Sequence, residues 1–173
     1  MKRTIIQPLK IVDDFLEAPF IWREYALKQE FLKDESGHPG LKSKTLDDLN
    51  LEIFHSLAGK VIQHVSGKHS FNRLKVNFAS SLTGNNSTDI VPHQDEPFYN
   101  IAGVVYLNEN PPAGSGISFY KMTPEGFVKT ITVENKFNRM VIFHPSLWHA
   151  PDGHFGNDLK TSRLTMTLFG IAI

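Results

Sequence analysis

Two hydrophobic periodicities divide the chain near residue 70. Before it, apolar residues recur mostly at helical spacing; beyond it, they alternate with polar ones. Ile5 to Val12 predicts a strand closed by Asp13-Asp14, after which Pro19 suits the first turn of a helix. That helix is predicted to run to about Lys33, with Phe20, Leu27 and Phe31, helped by Ile21 and Trp22, turned inward and Arg23, Glu24, Lys28 and Glu30 outward. Asp34 to Lys44 contains Gly37, Pro39 and Gly40 and reads as a loop. Thr45 is a candidate N-cap with Asp48 three residues on, and Leu46, Leu49, Ile53, Leu57 and Val61 follow at helical spacing until Gly67 ends the run.

Beyond this point Leu74, Val76 and Phe78 alternate with Arg73, Lys75 and Asn77, and Thr83 to Ser87 forms a polar loop. Further strands are predicted at Ile101–Leu107, Gly116–Tyr120, Phe127–Val133, Arg139–His144 and Ser162–Ile171, separated by Gly and Pro clusters. Helices first and many short strands afterwards predict an α+β, mainly β fold. The expected architecture is a jelly roll, or double-stranded β-helix, over about residues 70–173. Helices within about 13–67 support one of its sheets. Length and the absence of a linker predict one domain over residues 1–173.

Composition narrows the chemistry. The 18 basic and 18 acidic residues cancel, and no run of like charge suggests a nucleic-acid partner or a membrane surface. Cysteine is absent, which excludes thiolate catalysis, thiolate-bound zinc and disulfides. The amino terminus lacks a long apolar stretch and a small-residue cleavage site, and no segment is apolar enough to span a bilayer. A soluble, cytoplasmic protein is therefore expected. Oligomeric state is not specified by these features.

The stretch Val91-Pro92-His93-Gln94-Asp95-Glu96-Pro97 carries the candidate chemistry. In an extended chain His93 and Asp95 share a face and Gln94 points away, so an imidazole and a carboxylate can occupy adjacent corners of one metal. A second histidine completes a 2-His-1-carboxylate facial set with open positions. His144, His149 and His154 are the candidates. His149 is favoured because Trp148-His149-Ala150-Pro151 follows the apolar Met140-Val141-Ile142-Phe143, whereas His144 shares a face with Ile142 and Met140 in a straight strand and reads as a buried core histidine. Downstream, Arg163 and Thr165 share one face of a strand and Leu164 and Met166 the other. An inward guanidinium needs an anion, either a structural carboxylate or a carboxylate-bearing ligand with the Thr165 hydroxyl adding a hydrogen bond.

In this order the pieces resemble the 2-oxoglutarate- and Fe(II)-dependent dioxygenase superfamily, in its prolyl-4-hydroxylase-like branch. The resemblance spans roughly residues 72 to 171. It is carried by His93-Gln94-Asp95, Val104-Val105-Tyr106-Leu107-Asn108, Gly114-Ser115-Gly116-Ile117-Ser118-Phe119, Asn138-Arg139-Met140-Val141-Ile142-Phe143, His149 and Arg163-Leu164-Thr165. The entry Val12-Asp13-Asp14-Phe15-Leu16 is similar to the start of that family's supporting helices.

The resemblance implies Fe(II) on His93, Asp95 and His149, and 2-oxoglutarate as co-substrate with its distal carboxylate on Arg163 and Thr165. Dioxygen and ascorbate are implied as oxidant and reductant. Succinate and carbon dioxide would be released as a small-molecule or peptidyl substrate is hydroxylated. Many members place a Tyr on the strand before H-x-D to touch the co-substrate; Phe78 stands there, so Asn77, Tyr106 or Tyr99 is expected to serve. Collagen-type prolyl hydroxylases use Lys where this chain has Arg163, which leaves prolyl specificity open. Phe98, Tyr99, Trp148 and Phe155 are candidates for the substrate mouth. Two alternatives remain: a cupin-like metal protein that uses no 2-oxoglutarate, and an inactive binding module of the same fold.

Overall fold

A computed structural model describes residues 9–33, 40–82 and 91–173. Among these residues ten strands make two antiparallel sheets. The strands are β1 (Leu9–Val12), β2 (Leu32–Lys33), β3 (Leu41–Thr45), β4 (Phe71–Ser81), β5 (Ile101–Tyr106), β6 (Ile117–Thr123), β7 (Gly126–Val133), β8 (Met140–Phe143), β9 (Trp148–Pro151) and β10 (Arg163–Ala172). The larger sheet has the order β1-β8-β5-β10-β4-β3-β2 and the smaller one β7-β6-β9. Three helices, α1 (Pro19–Leu27), α2 (Leu46–Leu49) and α3 (Leu51–Ile62), precede the main run of strands. This is the expected jelly roll with amino-terminal supporting helices.

Side-chain alternation on the larger sheet builds two cores. Leu74, Val76 and Phe78 of β4, Val105 of β5, Met140 and Ile142 of β8 and Leu164, Met166 and Leu168 of β10 pack with the helices, which contribute Ala26, Leu46, Leu57 and Val61. Ala102, Val104 and Tyr106 of β5 and Val141 and Phe143 of β8 instead meet Ile117, Phe119 and Val133 of the smaller sheet. Central strands buried on both faces therefore read as almost continuous apolar runs, as β5 and β8 do. Truncating a fully buried side chain such as Phe78 to Ala would cost about 3–5 kcal/mol.

The amino-terminal half departs from the predicted boundaries. The part of the first strand before Leu9, the 34–39 part of the predicted loop and the predicted 83–87 loop lie outside the described residues. Helix α1 stops at Leu27, short of the expected Lys33, and Phe31 precedes the two-residue strand β2. Phe20 and Ile21 are 58% and 71% exposed and do not face the core; Ala26 is the buried residue of α1. The predicted loop before Thr45 contains β3, whose main chain pairs with β4 despite its polar sequence.

The predicted second helix is two helices. Asn50 is extended, with φ −162° and ψ 103°, and its side-chain oxygen accepts a hydrogen bond from Ile53 N, capping α3. Thr45 makes no side-chain cap; its hydroxyl donates to Asp48 at 2.9 Å. The sequence between Met140 and Arg163 yields β9 as well, a strand the sequence pattern did not predict.

Asn138 ties the amino-terminal segment to the barrel. Its side chain accepts from Leu16 N at 2.7 Å and donates to Leu16 O at 2.8 Å. Its own main-chain N–H donates to Tyr106 O, and its carbonyl accepts from Phe15 N. The backbone here is left-handed, φ 61°, a conformation that Asn tolerates better than most residues. Beside it, Arg139 and Lys136 both bind the Asp13 carboxylate, and Asp13 is held far below the usual carboxylate range, chiefly by the hydrogen bonds from Arg139 and then Lys136.

Candidate metal centre

The turn after β8 folds the chain back so that His149, the second residue of β9, lies 5% exposed and pairs with Phe119 of β6. The segment containing His93 crosses it as a single antiparallel bridge. Asp95 N donates to Pro145 O at 3.0 Å, and the Gln94 side chain donates to Ser146 O. Gln94 is thus directed to the turn, while His93 and Asp95 face a cavity together with His149, as the period-two reading requires.

One ligand atom from each of His93, Asp95 and His149 lies within 4.8 Å of the others. Each histidine uses Nδ1 on the carbonyl two residues upstream, His93 on Val91 O at 3.2 Å and His149 on Leu147 O at 2.8 Å. A carbonyl only accepts, so Nδ1 carries the proton and Nε2 is the lone-pair nitrogen, turned towards Asp95. His149 Nε2 lies 3.4 Å from Asp95 Oδ2, and His93 Nε2 lies 3.8 Å from Asp95 Oδ1. Asp95 Oδ2 is buried without a hydrogen bond, since two lone pairs approach one another there. Burial pushes the Asp95 carboxyl up to about 6, with Glu96 adding to the rise and His93 and Lys42 opposing it. Two imidazole nitrogens and a carboxylate oxygen aimed at one point, with an orphaned acceptor among them, fit a divalent transition metal such as iron.

His144 does not join them. It lies just past the end of β8 and its Nδ1 pairs with the Ser146 hydroxyl at 2.7 Å, so it is neither a buried core histidine nor a cavity residue.

The cavity, about 330 Å³, runs between the sheets from these three residues to Arg163, with Ile117, Phe143 and Phe169 on its apolar walls. Arg163 is 9% exposed; its Nε and Nη2 donate to Ser115 O and Gly116 O at 3.2 Å each. Among the described residues no carboxylate pairs with it, so the structural ion pair considered from sequence is not formed there. Gly116 permits the close approach that sets this end of the cavity: a Cβ there would collide with the Val133 carbonyl. Thr165 joins Arg163 on the cavity wall, while Leu164 and Met166 face the helices.

The remaining sequence candidates divide. Tyr106 is fully buried with its ring centroid 5.5 Å from the Arg163 guanidinium carbon, and burial pushes its hydroxyl up to about 12. Among the described residues that hydroxyl has no partner in hydrogen-bond geometry, and Tyr106 does not line the cavity. Asn77 does not reach the cavity wall; its amide donates to Ser43 O at 2.9 Å. Phe78 points away from the cavity towards Tyr25 and the helices. None of Phe98, Tyr99, Trp148 and Phe155 lines the cavity. Phe98 is 53% exposed against Tyr99, Tyr99 packs on Phe169, and Trp148 packs on Phe127. Lys42 and Phe169 line the cavity instead, as does His154, which the sequence offered only as a third ligand. The polar run of β3 and the irregular loop of His154 carry no period that would have signalled this.

Several solved structures share the fold. A prolyl-4-hydroxylase from Pseudomonas putida is 17% identical, with 95% of this chain and 92% of that one covered and a TM-score of 0.57. HygX from Streptomyces hygroscopicus, crystallised with nickel and 2-oxoglutarate, is 12% identical over 95% and 83% of the two chains, TM-score 0.62. A Trichoplax adhaerens prolyl hydroxylase, in complex with a hypoxia-inducible-factor oxygen degradation domain peptide fragment, is 13% identical over 95% and 83%, TM-score 0.55. The fold is thus that of the 2-oxoglutarate- and Fe(II)-dependent dioxygenases of the prolyl-4-hydroxylase-like branch. Among the described residues no helix is long and apolar enough to cross a membrane.

No curated protein matches the sequence. A family model matches residues 3–131, a span that holds His93 and Asp95 but ends before His149 and Arg163. On that match the chain belongs to the family of unknown function DUF6445.

Proposed function

We propose that the protein is a 2-oxoglutarate- and Fe(II)-dependent dioxygenase that hydroxylates a small molecule or a peptidyl residue. One observation carries this reading. His93, Asp95 and His149 converge at one side of a cavity whose other wall presents Arg163, buried and without a carboxylate partner among the described residues. A cupin-like metal protein has no use for that unneutralised guanidinium, and the intact ligand set argues against a module that has lost its iron chemistry.

In this reading His93 and His149 offer Nε2 to the metal, held in that tautomer by Val91 O and Leu147 O. Asp95 supplies the negative charge, and a cation at that position reverses the rise in its pKa that burial causes. Bound iron supplies dioxygen activation coupled to oxidative decarboxylation of 2-oxoglutarate to succinate and carbon dioxide. Arg163 orients the distal carboxylate of that co-substrate, with a hydrogen bond from the hydroxyl of Thr165, while the Tyr106 ring stands beside the guanidinium. Ile117, Phe143 and Phe169 keep water from the space between. Among proteins of the same fold, one is complexed with a peptide fragment and HygX with hygromycin B, which supports a peptidyl or a small-molecule substrate.

The test is succinate formation, followed by mass spectrometry, with Fe(II), ascorbate and oxygen against an Asp95→Ala control. Slow succinate release from the wild type alone, accelerated by the true substrate, is expected. A preparation that holds metal and 2-oxoglutarate yet forms no succinate above control would instead be the inactive binding module.

A further inference from the structure

We propose that His154 is a second contact for the acid group held at Arg163, donating a ring N–H to the distal carboxylate of the co-substrate. This rests on reading the cavity as a 2-oxoglutarate site. His154 lines the cavity, and both its ring nitrogens are buried without a hydrogen bond among the described residues. A neutral imidazole has one donor and one acceptor, and leaving both unmet away from water is costly unless a ligand or ordered water meets them. Burial, and then the neighbouring Arg163 charge, hold the ring below its usual pKa, so it enters the site neutral.

Arg163 and Thr165 leave room on a carboxylate for one more donor. Of its five N–H groups, Nε–H and one on Nη2 are already given to Ser115 O and Gly116 O. A carboxylate offers about four lone-pair sites; the remaining N–H groups on Nη1 and Nη2 take two and the Thr165 hydroxyl a third, so a further donor lining the same cavity has a place to bond.

The loop between β9 and β10 is pinned just beyond His154. Gly156 takes a left-handed φ of 84°, and a Cβ there would collide with the Thr161 carbonyl. Asn157 N and Asp158 N donate to the Thr161 hydroxyl oxygen at 3.1 and 3.2 Å, and Thr161 N donates to Asp158 Oδ1 at 2.9 Å. Arg23 of α1 donates to Lys160 O at 2.8 Å, fastening the loop to the helices. A backbone so pinned beside His154 loses less freedom when a ligand binds, which lowers the cost of binding.

The experiment uses the full chain loaded with redox-silent Mn(II). Calorimetry measures affinity for 2-oxoglutarate and for 2-oxopentanoate, which keeps the chain length but lacks the distal carboxylate. His154→Phe should weaken 2-oxoglutarate by about tenfold and leave 2-oxopentanoate within about twofold, since only the charge-assisted bond is lost. His154→Gln, which keeps an N–H donor, should recover most of the affinity. In the wild type loaded instead with diamagnetic Zn(II), the His154 ring resonance should move with 2-oxoglutarate and stay with 2-oxopentanoate, a readout that needs no variant to fold. Unchanged 2-oxoglutarate binding by His154→Phe, equal loss for both acids or an unmoved resonance overturns the role of His154. Wild-type protein that takes up Mn(II) but binds no 2-oxoglutarate overturns the reading of the site itself, and this inference with it.

Discussion

His93 and His149 hold each other through the main chain in both directions, His93 N to His149 O and His149 N to His93 O, each at 2.9 Å. Their ring centroids stand 4.5 Å apart as a result. Two segments distant in sequence thus present imidazoles at a spacing set by backbone hydrogen bonds, with Phe143 packed against the His149 ring at 4.6 Å. The donor set is preorganised by the fold and does not depend on how far a flexible side chain reaches.

This arrangement separates two histidines that lie close in sequence. His149→Ala should lower Mn(II) or Fe(II) affinity by more than about a hundredfold, beyond what loss of a supporting hydrogen bond costs. His144→Ala should retain metal binding, because that ring is engaged with Ser146. Metal titration followed by electron paramagnetic resonance decides, and reversed outcomes would move the distal ligand to His144.

Arg163→Leu should weaken 2-oxoglutarate binding by at least about tenfold, from loss of a charge-assisted pair in a buried site. Metal affinity should stay the same, because the guanidinium donates to Ser115 O and Gly116 O and not to the three metal-facing residues. Calorimetry on the Mn(II)-loaded variant measures both. Undiminished co-substrate affinity rejects the role, and an unfolded variant assigns Arg163 to holding the Ser115–Gly116 turn.

Asn138→Gly should destabilise the fold by about 2–4 kcal/mol, because it leaves a buried N–H and C=O of Leu16 without partners. Asn138→Ala should cost more, since alanine tolerates the left-handed backbone less well than glycine. Urea midpoints rank the two. A loss below about 1 kcal/mol for Asn138→Gly would show that water replaces the side chain.

Asp13 predicts the pH dependence of the same junction. Its folded pKa lies below the unfolded value of about 3.9, so its contribution is present above about pH 4 and is lost as pH falls towards the folded pKa. With its side chain 37% exposed, solvent screening limits that contribution to about 1 kcal/mol. Asp13→Asn should therefore be less stable than wild type at pH 7, and the gap between their urea midpoints should narrow at pH 3. A gap that does not change with pH rejects this role.

Residue order alone determined the alternation of β4 and β10, the separation of Arg163 and Thr165 from Leu164 and Met166, and the shared face of His93 and Asp95. These follow from the two-residue period of a strand, which is a local property. Tertiary structure decided what depends on a partner. Strands β3 and β9 carry no readable alternation; they exist because β4 and β6 supply main-chain hydrogen bonds to them. Phe20 is turned outward and Ala26 inward because the contact of α1 with the sheet selects a face that apolarity alone does not. Asn77 was taken up by Ser43 O, and the candidate aromatics pack against one another and their neighbours away from the cavity. His154 reached the cavity through a loop whose shape rests on Gly156 and Thr161, a geometry with no period in the sequence, because loop conformation is set by hydrogen bonds between particular residues and not by a repeating pattern of burial.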